Sequence, residues 1–268
     1  MPNKSKSLSP NLIATLWAQG QFGTNSPNTV LNTLWFYFTL MFGLRGVHEH
    51  RQMCWGDVVK GKDEQGTYLE FKERKSKTRQ DGSLTRAVTP KFYENNSQRS
   101  RCIIRIYDFY ASKRPVDYSA PENAFYLAAN TKFNTSNQAK EQTRFTRGPV
   151  GIHKLSTILR RMKSACNLKG NITNHSARKT LVQTLVNKQI PATDIAQLTG
   201  HCNLQSINNY SHISTNTHKE MTDLLQPCSP KTTDTTHRDF ISTSQPIFDL
   251  GLYDEDLSTI NFQVLNHN

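Results

Sequence analysis

TNHSARKTLVQTLVNKQIPATDIAQLTGHCNLQSINNYSH, residues 173–212, sets His175 and Arg178 one helical turn apart, then Gly200-His201, then Tyr210 nine residues beyond that histidine. Leu181, Val182, Leu185 and Val186 recur with a helical period, so the spacing predicts a helix over His175–Lys188. Pro191 opens a short helix and Gly200 ends it, as proline at a helix start and glycine past a helix end do. A further short helix is expected to carry Tyr210. Three kinds of polar side chain therefore follow one another on consecutive short helices.

Upstream, Ser26-Pro27 is a helix start, and Val30, Leu31, Leu34, Trp35, Phe38 and Met41 follow a 3.6-residue period. Gly43-Leu44-Arg45-Gly46 interrupts that helix and places Arg45 at the junction. Trp55-Gly56-Asp57 leads to an expected β-hairpin with strands Thr67–Lys77 and Leu84–Thr89 about the turn Gln80-Asp81-Gly82-Ser83. Helices are expected over residues 101–113 and from Pro149 through Met162, with a short strand at Asn123–Leu127. The predicted fold class is mainly α with a small antiparallel β-sheet (α+β). Three regions follow: a polar N-terminal segment with a short helix (1–27), one domain (28–222), and a Ser/Thr-rich acidic tail (223–268) expected to be flexible.

Charge narrows the partner. The 268 residues include 33 Lys plus Arg and 21 Asp plus Glu, a net of +12. Residues 229–268 carry −4, which leaves +16 on the rest. A body this basic attracts polyanions, and counterion release from nucleic acid would drive much of the binding. The five cysteines are scattered without a CxxC pair, so neither a disulfide framework nor a zinc site is expected, and a reducing compartment fits. His201-Cys202 with Cys166 and His175 lacks the paired spacing that zinc ligation needs. The longest apolar run, Leu34–Leu44, is too short to span a bilayer.

Taken singly, each polar residue has an ordinary explanation. Arg45 could be a surface cation at a helix end, His175 a helix cap, and Tyr210 a core residue of a short amphipathic helix. Residues 190–210 alone could be a helix-turn-helix of a simple DNA-binding module. No packing rule, however, asks for Arg, Lys, His-x-x-Arg, Gly-His and Tyr in this order, and a spaced set of six is far more specific than one short motif.

Arg45 in GLRG, Trp55-Gly56-Asp57, a hairpin lysine, HSAR, TGH and Tyr210 together resemble the catalytic domain of the tyrosine recombinases. The segments FGLRGVHEHRQ, NHSARKT and QLTGH…NNYS resemble in particular the Crypton-type eukaryotic recombinases and their domesticated relatives. Those relatives are the C-terminal domains of MYM-type zinc-finger and glutamine-rich nuclear proteins. The similarity covers about residues 12–222.

The resemblance implies a tyrosine recombinase catalytic-domain fold and a catalytic set of Arg45, Lys77, His175, Arg178, His201 and Tyr210. Lys75 is the alternative to Lys77. Glu49 stands one position from the acid that steadies the first arginine in the family. The implied activity is cleavage and rejoining of double-stranded DNA through a 3′-phosphotyrosine, with no cofactor, metal or small-molecule substrate. Assembly as a homo-oligomer on DNA and nuclear residence follow from the same likeness. The alternative is a catalytically idle nuclear module for binding DNA or protein. Only 44 residues precede Arg45, too few for the second, N-terminal DNA-binding domain of working relatives. Replacing Arg178 by alanine is expected to remove charge and leave the fold intact.

Overall fold

A computed structural model describes residues 5–73, 89–134, 143–201 and 204–208, all within one compact unit, Met1–Ser214. Lys75, Lys77, the expected hairpin turn at 80–83, Tyr210 and the tail lie outside the described residues.

The chain opens with α1 (Pro10–Ala18), α2 (Pro27–Phe42) and α3 (Gly46–Gln52), and continues through β1 (Val58–Asp63), β2 (Gly66–Phe71), β3 (Lys91–Tyr93) and α4 (Ile103–Ser112). Then come β4 (Leu127–Ala129), β5 (Phe145–Pro149), α5 (Ile152–Ser156), α6 (Ile158–Ala165), α7 (Asn174–Asn187), α8 (Ala192–Thr199) and α9 (Gln205–Asn208). Two small antiparallel sheets, β1-β2-β3 and β4-β5, stand among these helices. The architecture is mainly α with small antiparallel sheets, as expected.

Helix α2 organises the core. Ser26 caps it: its Oγ accepts from Thr29 N at 3.2 Å, while Ser26 N donates to Thr29 Oγ1 at 3.0 Å. The helix packs against α4, α6, α7 and β3. It buries not one stripe but most of its circumference, including Phe36, Thr33 and Asn32. A helix apolar on nearly every side belongs at the centre of a domain.

The first sheet contains a hairpin that was not expected from the sequence. Strand β1 pairs with β2 through the tight turn at Glu64-Gln65, with Asp63 opposite Gly66. The third strand is Lys91–Tyr93, just after Pro90, while residues 84–88 of the expected strand Leu84–Thr89 lie outside the described residues. Strand β4 begins at Leu127, where Asn123–Leu127 had been expected, and only an isolated bridge from Cys54 to Ala124 precedes it.

Beneath that bridge, Arg114 is buried. Its guanidinium donates to the carbonyls of Phe125, Tyr118 and Ala124 at 2.7–3.0 Å and lies 4.2 Å from the Trp55 ring centroid. Backbone carbonyls and an aromatic face thus hold a buried cation, with Nε alone left without an acceptor.

Residues 5–22 join the same core. Leu8, Leu16 and Phe22 are buried in it. Leu8 N donates to Thr180 Oγ1 at 2.8 Å, Lys179 Nζ to Ser5 O at 2.8 Å, and Lys6 N to Asn171 O at 2.9 Å.

Candidate anion-binding site

The site is built where two helices end. Helix α2 closes at Gly43, whose φ of +56° is left-handed, and α8 closes at Gly200, φ +65°. Both use glycine past the last turn, leaving terminal carbonyls without intrahelical donors. The two ends approach so closely that a Cβ on residue 43 would lie 2.9 Å from Thr199 Cα and 3.0 Å from Leu198 O.

Arg178, half-buried on α7, joins them. Its Nη1 donates to Gly43 O and its Nη2 to Thr199 O at 2.7 Å. A cation is favoured at a helix C-terminus by the macrodipole, and here one guanidinium serves two. Gly43→Ala is therefore expected to strain the backbone and push α2 from α8, costing about 2 kcal/mol. Urea unfolding would read the loss.

His201 completes the cluster. Nη2 of Arg178 lies 3.3 Å from its Nε2 and 3.4 Å from its Nδ1. Thr199 Oγ1 is 2.5 Å from Nδ1 and gives its own proton to Ile195 O. The hydroxyl can then only accept, so Nδ1 carries the hydrogen and Nε2 keeps its lone pair. Burial, then the charges of Arg178 and Arg45, push the imidazole pKa down to about 4. His201 is thus neutral near pH 7, in the field of both guanidinium groups.

Arg45 precedes α3, with its backbone N–H donating to Glu49 Oε2 at 2.5 Å. Glu49 thereby caps the start of α3 and holds the backbone of Arg45 in place. His175 is exposed on the first turn of α7, and no described hydrogen bond ties it to the cluster. Ile207 of α9 is fully buried with Val182 and Ile195, which fixes the chain just before Tyr210. Among the described residues no group of three or more His, Cys, Asp or Glu could hold a metal ion.

Helix α3 is held by a residue that belongs to no motif. His50 is buried, with Nε2 2.9 Å from Thr39 Oγ1 and Nδ1 3.0 Å from Tyr126 Oη. Thr39 already donates to Trp35 O at 2.9 Å, so Nε2–H donates to Thr39 and Tyr126 donates to Nδ1. Its sequence neighbours Glu49 and Arg51 give no sign of burial, and Trp35, 5.1 Å away between ring centroids, reaches it only in the folded chain.

Burial pushes the His50 pKa down to about 3. In the unfolded chain it titrates near 6.5, so the unfolded state takes up the proton first as pH falls. Its contribution is complete above pH 6.5 and is lost on the way down to 3. Between pH 7.5 and pH 5 the protein is expected to lose about 2 kcal/mol from His50. His201 acts in the same direction. Denaturant titrations at the two pH values check this, and His50→Gln should flatten the slope.

What this arrangement can do follows from its charges. Two arginines and a neutral imidazole make a locus for an oxyanion with several non-bridging oxygens. An anion that offsets the guanidinium charges would raise the proton affinity of His201 Nε2, so binding and proton uptake are coupled.

Comparison with known proteins agrees with the architecture. Residues 12–164 match the family described as Domain of unknown function (DUF3504). Zinc finger MYM-type protein 3 of Homo sapiens is 32% identical over 127 residues, 42% of this chain and 9% of that protein. Transcriptional regulator QRICH1 of Homo sapiens is 28% identical over 119 residues, 42% of this chain and 15% of that protein. The chain thus spans a small part of these relatives.

Among solved structures, the XerH site-specific recombinase bound to difH substrate superposes with a TM-score of 0.51 at 15% identity, over 84% of this chain and 56% of that one. The Tn1549 transposon integrase with a circular intermediate DNA gives 0.51 at 13%, over 83% and 67%. These likenesses are of fold: the chain has the tyrosine recombinase catalytic-domain fold.

Proposed function

The chain belongs to the DUF3504 family, and on that premise we propose that it binds double-stranded DNA and cleaves and rejoins its strands through Tyr210. The observation that carries the proposal is the convergence of Arg178 and His201 at 3.3 Å within the field of Arg45. The three residues come from separate parts of the chain and make an electropositive locus.

In the proposed reaction, Arg45 and Arg178 bind the non-bridging oxygens of one phosphate and offset the charge that grows in the pentavalent transition state. The Tyr210 phenolic oxygen attacks phosphorus and gives up its proton to the site, where His201 Nε2 is the available base. The bond from phosphorus to the 5′ oxygen breaks, and Lys77 (or Lys75) protonates that oxygen. A 3′-phosphotyrosine and a free 5′-hydroxyl result. His175 donates to a phosphate oxygen from the exposed side. A second 5′-hydroxyl reverses the sequence, so bond energy is conserved in the covalent intermediate.

A nicked suicide duplex tests this. Its cleaved fragment diffuses away, so the full chain should accumulate a DNA adduct that survives denaturation. Tight binding with no adduct would overturn the enzymatic reading.

A second reading has its own support. Arg178 already ties α2 to α8 through two carbonyls, a structural duty that would preserve this arginine without chemistry. Two relatives are, by name, a zinc finger protein and a transcriptional regulator. On that reading the chain is a domesticated, nuclear DNA- or protein-binding module of Crypton-like origin. Nuclear residence belongs to both readings, and assembly as a homo-oligomer on DNA belongs to the first. The domain is proposed to extend through residue 222, with residues 5–22 part of the same core and 223–268 as its tail.

A further inference from the structure

A cleft of about 590 Å³ opens between α1, α2, α7 and the segment that runs from β3 into α4. Its walls include Ile13 from α1, Leu40 and Met41 from α2, and Leu181 and Leu185 from α7. Leu40 and Met41 stay partly exposed, although most of α2 is deeply packed. A volume of this size is within the roughly 300–1,000 Å³ that small-molecule sites occupy.

Polar groups collect at one side. Trp17 Nε1 donates to the Tyr37 hydroxyl at 2.8 Å, which leaves the phenolic proton of Tyr37 to be donated elsewhere. Among the described residues nothing accepts it. Arg101 is exposed, with its Cζ 5.4 Å from the Trp17 ring centroid. Its charge is felt at Tyr37, and no described carboxylate pairs with it. Tyr37, Trp17 and Arg101 all line the cleft. An apolar trough therefore has two unspent donors, one of them cationic, and no acid to neutralise them.

We propose that this cleft is a binding site for a small amphiphilic monocarboxylate, its apolar body between α1, α2 and α7 and its carboxylate on Arg101 and the Tyr37 hydroxyl. Charge complementarity selects this chemistry. A neutral apolar molecule would leave both donors unused, an amphiphilic cation would meet Arg101, and a phosphate dianion would find a single guanidinium. The ligand is held, not transformed. The site is independent of the recombinase reading.

Titration calorimetry on the full chain with decanoate tests it, with decanol and decyltrimethylammonium as comparisons and Trp fluorescence as a second readout. Saturable one-to-one binding of decanoate is expected, about tenfold or more tighter than decanol, because a charge-assisted hydrogen bond is lost with the alcohol. Arg101→Gln should weaken decanoate by about tenfold and leave decanol unchanged. Ala14→Trp, which fills the trough from an exposed position on α1, should abolish binding of both. Thermal melts of each variant verify folding. Equal affinity for decanoate and decanol, indifference to Arg101→Gln in a folded variant, or binding that never saturates would overturn the proposal.

Discussion

Tyr210→Phe is expected to eliminate the denaturation-resistant DNA adduct while leaving duplex affinity unchanged. The substitution removes one oxygen, the atom that would join phosphorus, and no charge, so the electrostatic part of DNA binding is untouched. Loss of a nucleophile from a concerted set costs about four orders of magnitude or more in rate, because water cannot take its place in line. Gel-shift affinity and adduct yield, measured on one preparation at fixed salt, separate the two effects. An adduct that persisted in the phenylalanine variant would move the nucleophile to another residue.

Arg178→Ala is expected to fail twice. Its guanidinium would no longer stabilise the transition state, a loss of about two to three orders of magnitude for one oxyanion donor. Its departure would also strand the carbonyls of Gly43 and Thr199, whose donor it is. Loss of this shared donor at two buried residues costs about 2 kcal/mol or more in stability. The sequence suggested that this change would spare the fold, and the geometry corrects that. Arg178→Lys keeps the charge but not the planar fork, so it should preserve the salt dependence of DNA binding while lowering both stability and cleavage. Melting curves beside adduct yields give the split.

The difference between those expectations shows where one-dimensional reading stops. The helices α2, α4, α7 and α8 were legible because their signals are local: Ser26-Pro27 opens α2, Pro191 and Gly200 bracket α8, and apolar residues recur with helical period. The sheet was less legible. Strand β1 contains Lys60, Gly61 and Lys62, weak strand formers, and the Asp-Gly pair at 81–82 was a stronger turn signal than Glu64-Gln65. The motif positions of Arg45, Arg178 and His201 could be read from spacing. Their partners could not, because Gly43 O is 135 residues from Arg178 and meets it only after α2 and α8 have packed. His50 was missed for the same reason: Tyr126, its hydroxyl donor, is 76 residues away.

The strand of chain before α1 has a practical consequence. Backbone and side-chain bonds at Ser5, Lys6 and Leu8 moor Asn171, Lys179 and Thr180, on either side of the turn that bears His175 and Arg178. A fragment trimmed to Leu12, where the family match begins, would cut those moorings and loosen the platform from which both side chains project. Deletion of eleven residues far from any motif would then register as a defect in the site itself, and fragments made for assays of this site should keep residues 5–8.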